Sequence, residues 1–303
     1  MKNYIKLHAT KMKRIILAFS LLLLMGGAYG QQVEPPHIDI FSGVELNYRN
    51  IFYNNRLYDL LINLTPGVKW YMGHDWILAA QGIIPVYNDY GDRYKKVRLN
   101  MAVLSKEFCL GKQHFKVSGG LFGQERYGLD VKWMFSVNSW LAFDGQVGYT
   151  GYCSMLTDWE CSKVDRITGW LGTRAYLEKY DMEFRLRGGR YIFADYGVKG
   201  GCMRHFKHCT VGVYAEYGSE GKENGGFKII VLLPPYKRKT KRVNVRPASN
   251  FRMTYSIMAV PNSLRMYTTD PEENEREGYF NRNNVKWGSN NMAPDFKEKG
   301  GAE

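Results

Sequence analysis

Apolar and polar residues alternate with a period of two along almost the whole chain after residue 36. In one such segment, Phe184 and Leu186 alternate with Glu183, Arg185 and Arg187. Successive side chains of a β-strand point to opposite faces, so the pattern predicts strands with one apolar and one charged face. The predicted strands cover residues 37–48, 57–71, 76–85, 95–108, 113–123, 127–135, 140–150, 166–177, 181–190, 197–204, 209–217 and 225–233.

The lengths of these segments and of their connections predict a closed, antiparallel, transmembrane β-barrel of about 12 strands, an all-β fold. Most segments have about ten residues, the length with which a tilted strand crosses a bilayer. Short connections such as 109–112 alternate with longer polar ones such as 151–165, as they do in outer-membrane barrels. An even number of strands places both ends of the barrel on the periplasmic side. A soluble β-sandwich and a periplasmic lipocalin-like barrel are the alternatives, because their strands alternate as well.

Aromatic residues make up 15% of the chain, and several fall at or near the ends of the predicted strands. Tyr and Trp side chains accumulate at the level of the lipid head groups, so these residues are expected to form interfacial girdles. They are Trp70, Tyr71, Trp76, Trp140, Tyr149, Tyr180 and Tyr217.

The beginning of the chain has the features of a cleavable signal peptide. Positive charges without acidic residues precede an apolar core at residues 15–25, and residues 28–30 are suited to cleavage. The core is too short to span a bilayer comfortably, and an uncleaved anchor is the alternative. The predicted domains are a signal peptide (1–30), an outer-membrane β-barrel (31–235) and a periplasmic C-terminal tail (236–303).

The predicted tail is first basic and then acidic, with residues 251–260 as a candidate for one further strand. Its six cations repel one another and resist compact folding. They predict either a solvated linker or assembly gatekeeper, or a surface that captures an acidic partner. The candidate partner-binding residues are Lys237, Arg238, Lys239, Lys241, Arg242 and Arg246.

The charged faces of the predicted strands must point into the barrel, because Lys or Arg on the lipid face costs roughly 2–4 kcal/mol near the midplane. The predicted lumen-lining residues are Arg98, Lys106, Lys116, Arg174, Glu183, Arg185 and Arg187. They predict either a packed ion-pair network that plugs the barrel or a basic channel wall that an acidic solute follows. A barrel of this size lies between filled small barrels and open porins.

The sequence predicts no catalytic, cofactor-binding or metal-binding residues. No histidine of the predicted mature chain has a serine two positions on, the spacing of the phospholipase and deacylase barrels, and G-x-S-x-G does not occur. Cys202, His205, His208 and Cys209 form a dense group of zinc-type donors. However, strand alternation points Cys202 and His205 to opposite faces.

The cysteines allow several disulfide states, since export permits disulfides and the chain has five cysteines. Cys202 and Cys209 are predicted either to form a cross-strand disulfide or to stay as two thiols. Cys153 and Cys161 share the longest outer loop and are candidates to close a small ring there.

Three stretches contain many glycine and aromatic residues in a distinctive spacing. They are GLFGQERYGLDVKW followed by GQVGYTGY, RLRGGRYIFADYGVKGGCMRHFKHCTVGVYAEYG followed by GGFKIIVLLP, and GIIPVYNDYGDRYKKVRLNMAVLSKEF. Over roughly residues 75–235 the chain resembles the YjbH family, outer-membrane barrels associated with exopolysaccharide and capsule gene clusters. The resemblance implies a place beside a polysaccharide secretion system. It supplies no catalytic residues, and longer members carry much more sequence around the barrel.

The predicted function is a non-enzymatic outer-membrane β-barrel that assists export or assembly of a surface polysaccharide. A small-solute porin is the main alternative, and a barrel enzyme acting on lipid or glycan is the third. The net charge of +13 favours acidic partners, and an exported protein meets little nucleic acid. The expected partners are therefore outer-membrane lipid, an anionic polysaccharide and periplasmic export components.

Overall fold

The computed structural model describes residues 36–49, 58–138, 140–155, 159–206, 208–219, 222–233, 242–256 and 264–273. The predicted signal peptide lies outside these residues. In the described part the chain is all-β, and its strands are β1 (His37–Arg49), β2 (Asp59–Gly73), β3 (Trp76–Asn88), β4 (Arg98–Leu110), β5 (Gln113–Phe122), β6 (Arg126–Ser136), β7 (Leu141–Ser154), β8 (Glu160–Cys161), β9 (Arg166–Leu177), β10 (Met182–Arg190), β11 (Tyr196–His205), β12 (Cys209–Gly218), β13 (Lys222–Leu232), β14 (Val243–Pro247) and β15 (Asn250–Ser256). No helix within these ranges is long and apolar enough to cross a membrane.

The strands form a closed ring of 13, which confirms the predicted all-β barrel. From β1 to β13 each strand pairs antiparallel with the next, except that β7 passes over the two-residue β8 and pairs with β9. β14 and β15 together form the thirteenth strand, because β14 lies beside the first half of β1 and β15 beside its second half. Each of the predicted strands overlaps one observed strand, and β15 of the closing strand overlaps the candidate strand at residues 251–260, whereas β14 was not predicted.

The ring closes through a parallel pair. Ile38 of β1 is in register with Val243 of β14, and Tyr48 of β1 is in register with Tyr255 of β15. A ring of consecutive antiparallel strands needs one parallel pair when the number of strands is odd. The predicted even count and the tail boundary at residue 236 are therefore corrected, since the chain re-enters the sheet and leaves β15 at the end opposite to the start of β1.

The two ends of the barrel differ in their connections. The tight turns 74–75 and 111–112 lie at one end, called the turn end. Longer connections, such as 89–97 and 191–195, lie at the other, called the loop end. Most of these connections agree with the predicted alternation of short and long connections, but the three-residue turn 123–125 also lies at the loop end.

Most charged side chains of the strands face the interior, and most side chains of the outward face are apolar. On β10, Glu183 is 0% and Arg185 7% exposed, whereas Phe184 is 41% and Leu186 56% exposed. On β9 the outward Leu171 is 67% exposed. Soluble proteins have the opposite arrangement, because their charged residues are almost never fully buried unless paired. The exterior of this barrel is therefore largely apolar, whereas its interior combines charged side chains with an apolar cluster of Met101, Val103, Phe122, Ile192 and Tyr267.

Candidate functional site: the barrel lumen

Most of the predicted lumen-lining residues face the interior. Those that are buried or nearly so are Lys116, Arg174, Glu183, Arg185 and Arg187. Arg98 lies near the loop end, in register with the buried Ile83, so it shares the inward face. The sequence therefore identified much of the lumen wall from strand parity alone.

Lys106 does not face the lumen, and this prediction is corrected. It follows the buried Ser105 along β4 and shares the outward face with the exposed Leu104. Its ammonium lies 5.4 Å from the ring centroid of Trp76. A β-bulge places Asn100 as an extra residue in β4, and this extra residue reverses the inward parity beyond it.

One side of the lumen wall contains a network of buried ion pairs. Asp144 accepts hydrogen bonds from Nε of Arg174 at 2.7 Å and from Nη2 of Arg187 at 2.8 Å. Glu183 accepts one from Nε of Arg185 at 2.5 Å. These contacts favour the packed ion-pair interpretation for this side of the barrel over a bare channel wall.

Glu183 also contacts a buried histidine, an arrangement that the sequence did not predict. His205 Nε2 lies 2.8 Å from Glu183 Oε2, and His205 Nδ1 lies 2.9 Å from Thr210 Oγ1. Hydroxyl, imidazole and carboxylate follow one another as in a hydrolase triad. All three side chains are buried, however, so they connect β10, β11 and β12 rather than face a substrate. The search for a serine two positions from a histidine missed this contact, which spans a turn.

The cysteine positions resolve the alternatives left by the sequence. Cys153 and Cys161 form a disulfide between β7 and β8. Cys202 and Cys209 are both thiols, because Cys202 is in register with Val213 instead. Among the described residues, no three His, Cys, Asp or Glu side chains are placed to hold a metal ion.

Residues 264–273, here called the lumen segment, lie inside the barrel. The segment begins near the loop end, where the backbone N–H of Leu264 donates to Asp195 Oδ2 at 2.6 Å. The N–H of Ile192 donates to the carbonyl of Arg265 at 3.1 Å in the same region. The predicted placement of these residues in a tail is corrected, because their side chains pair with residues of the inner barrel wall.

The barrel wall has a space that Tyr267 fills. Tyr267 is 2% exposed, stacks on Phe122 with ring centroids 5.0 Å apart, and donates a hydrogen bond to Asp130 Oδ2 at 2.7 Å. A Cβ atom on Gly148 would lie 2.8 Å from Cζ of Tyr267 and closer still to its hydroxyl oxygen. Glycine at this position therefore makes room for the lumen segment.

Asp270 and Glu272 of the lumen segment meet buried lysines. Lys69 Nζ lies 2.6 Å from Asp270 Oδ1 and 3.1 Å from Glu272 Oε2. Lys116 Nζ lies 3.4 Å from Asp270 Oδ2. Burial alone would raise the pKa of Asp270, but the two ammonium groups hold this pKa below its ordinary value. Burial opposes ionisation of Glu272 too, yet Lys69 and the neighbouring Arg246 lower its pKa to about 2.

Arg246 joins the lumen segment to the closing strand. Its guanidinium donates to the two oxygens of Glu272 at 2.7 and 2.8 Å, and to Asp39 Oδ2 at 3.0 Å. The last residue of the lumen segment, Glu273, pairs with Lys132 of β6. The four wall residues that pair with the segment, here called the lumen cations, are Lys69, Lys116, Lys132 and Arg246.

These contacts change the interpretation of the predicted partner-binding run. Arg246 lies in a barrel strand with 8% of its side chain exposed, so its assignment to a basic tail is corrected. Arg242 is exposed just before β14, at the turn end. The other four candidates, Lys237, Arg238, Lys239 and Lys241, lie outside the described residues.

The chemistry available at the lumen is the recognition of carboxylates. Lysine and arginine side chains from β2, β5, β6 and β14 converge on an acidic peptide, and arginine meets one carboxylate with two parallel hydrogen bonds. Sequence reasoning missed this site because the acidic residues lie far along the chain from their partners. No protein-family model, no curated protein and no solved structure matches this chain.

Proposed function

We propose that this protein is an outer-membrane β-barrel that is closed by its own lumen segment and assists export or assembly of a surface polysaccharide without enzymatic activity. The observation that carries the membrane part is the apolar exterior around a charged interior, as on β10. Burying charge while exposing leucine and phenylalanine is stable only where the exterior contacts lipid. A soluble barrel with this exterior would aggregate.

Exposed aromatic residues near both ends support the same proposal. Trp70, Trp140 and Tyr180 are exposed near the turn end, and Tyr87 and Tyr217 are exposed near the loop end. Aromatic side chains at two levels match the two interfaces of a bilayer. Tyr71 does not belong to these belts, because its ring stacks on the buried His37.

The orientation follows from the connections. Outer-membrane barrels have short periplasmic turns and longer outer loops, so the turn end faces the periplasm. Arg242, just before β14, then lies on the periplasmic side, whereas the lumen segment begins at the outer end of the barrel. A cleavable signal peptide over residues 1–30 directs export.

The filled lumen favours an accessory of polysaccharide export over an open porin. The lumen segment contacts β2, β5, β6 and β14, so it crosses the space that a porin leaves to water. The link to polysaccharide rests on the resemblance to the YjbH family. A small-solute porin requires the segment to be absent from the lumen in the resting state.

Fractionation and polymer measurement test this function. We expect carbonate-resistant outer-membrane localisation, a gel mobility shift on boiling, and reduced surface polysaccharide in a deletion strain that the gene restores. A soluble periplasmic protein without a mobility shift contradicts the barrel part. Outer-membrane localisation with unchanged polysaccharide contradicts the export part alone.

A further inference from the structure

We propose that the lumen cations form a binding site for a carboxylate-bearing polysaccharide, and that the lumen segment occupies this site in the closed state. The proposal rests on the proposed function and assigns its polymer to the acidic class, such as chains containing uronic acids. In the closed state the lumen segment of the same chain occupies the site, and the polymer displaces the segment from it.

The contacts of the segment define the chemistry of the site. Glu272 receives the planar fork of Arg246, and Lys69 bridges Glu272 and Asp270. A guanidinium fork matches the two oxygens of a carboxylate, and a lysine accepts several anionic neighbours as a point charge. The site therefore recognises an unbranched chain that carries carboxylates in succession.

The burial of the cations explains why an anionic chain is needed. The side chains of Lys69, Lys116 and Lys132 are only 1%, 3% and 3% exposed. An ion taken out of water costs several kcal/mol unless an opposite charge meets it. Acids of the wall meet three of these cations, since Glu107 lies 3.2 Å from Lys116, Asp39 pairs with Arg246 and Asp130 attracts Lys132. The segment supplies the acids that pair directly with Lys69 and a further acid for Lys132.

The segment is held in a way that permits exchange. Its residues belong to no strand, and side-chain contacts such as Tyr267 with Asp130 anchor it. Leaving the lumen therefore breaks ion pairs, hydrogen bonds to the wall and the packing of Tyr267 on Phe122, but none of the ladder between strands. A polymer that offers carboxylates to the same cations compensates for the ion pairs that are lost.

Two full-length variants open the site for testing. Asp270→Asn/Glu272→Gln/Glu273→Gln removes the competing charges with little change of shape. Gly148→Ala leaves every charge in place but adds a methyl group where Tyr267 lies. Gly200→Ala is the matched control, since a Cβ atom there meets nothing within 4 Å.

Purified proteins are compared in planar bilayers, with oligogalacturonate, a neutral dextran and polyphosphate of similar length as probes. We expect both opened variants to conduct with anion preference, while wild type and Gly200→Ala stay closed. Oligogalacturonate blocks the current, dextran does not, and a synthetic peptide of residues 264–273 competes with the block. Adding Lys69→Gln to Gly148→Ala weakens the block about tenfold, the loss of one charge-assisted hydrogen bond.

Three outcomes overturn the proposal. An opened barrel that conducts but is not blocked by oligogalacturonate has no such site. Stronger block by polyphosphate than by oligogalacturonate assigns the site to another anion. If neither variant conducts, binding is measured instead by titrating both purified variants in detergent with oligogalacturonate. Absence of binding in that titration also overturns the proposal. All three leave outer-membrane localisation intact, so they are distinct from a failure of the proposed function.

Discussion

Arg246 and Glu272 are joined by two parallel hydrogen bonds of 2.7 and 2.8 Å, and this fork connects the closing strand to the lumen segment. The same guanidinium reaches Asp39 of β1, so one side chain contacts both members of the parallel pair and the segment. The backbone N–H of Ser249 donates to Glu272 as well, at 2.7 Å. Closure of the barrel and docking of the segment are therefore coupled through Glu272.

Glu272→Gln is expected to destabilise the closed barrel by about 2 kcal/mol, because its charge-assisted hydrogen bonds with Arg246 are weakened while Asp39 and Asp270 still compensate Arg246 and Lys69. The measurement is the temperature at which the compact gel band converts to the unfolded one. Glu160→Gln, at an exposed position, is the control. Equal conversion temperatures for the two variants would contradict the coupling.

Docking of the lumen segment is expected to weaken in acid. A carboxylate released to water has a pKa near 4, whereas the pKa of Glu272 is about 2 when docked and that of Asp270 is also lowered. Their contribution is complete above about pH 4.5 and is lost as the pH falls towards about 2. Conversion temperatures measured over this range should fall for wild type and stay flatter for Asp270→Asn/Glu272→Gln.

A charge on the outer face distinguishes a lipid-facing barrel from a soluble one. Leu171 is 67% exposed on β9, so Leu171→Arg is nearly neutral if this face meets water. In a bilayer the same change costs about 2–4 kcal/mol near the midplane and reduces assembly. The amount of heat-modifiable protein in outer membranes measures the effect, with Leu171→Ile as the control. Normal assembly of Leu171→Arg would argue against a lipid-facing position.

Labelling of single cysteines tests the orientation. In a background with Ser at Cys109, Cys202 and Cys209, Glu223→Cys is expected to react with an impermeant maleimide on intact cells. Lys112→Cys, in the turn between β4 and β5, should react only after the outer membrane is opened. Reversed labelling would place the turn end outside.

The disulfide predicts a defined thiol count. Alkylation of the denatured, unreduced protein should modify Cys109, Cys202 and Cys209, whereas reduction should expose Cys153 and Cys161 as well. Intact mass spectrometry of protein isolated from the membrane gives both numbers. Five modified cysteines without reductant would show that the bond is not formed.

Strand parity explains what the sequence could reveal about the wall. The alternation around Glu183 and Arg185 has no interruption, so it identified both the strand and its inward face. In β4 the same reasoning failed beyond Asn100, because the bulge adds a residue that alternation cannot detect. Lys106 was therefore assigned to the wrong face.

The closing strand and the lumen segment have weaker signals. The break between Pro247 and Asn250 divides the last strand into pieces of five and seven residues, too short for a clear alternation. Residues 264–273 follow no period, and acidic residues near a chain end resemble a solvated surface. An excess of cations over acids on the inward positions of β2, β5 and β6 was the available clue to an acidic partner.

The parallel edge between β1 and the last strand limits how such a barrel arises over evolutionary time. Duplication of whole hairpins adds strands in twos and keeps every neighbouring pair antiparallel. A ring of 13 cannot be reached by that route alone. The odd strand fits into the ring only because one neighbouring pair is parallel, and this pair is the seam at Ile38 and Val243.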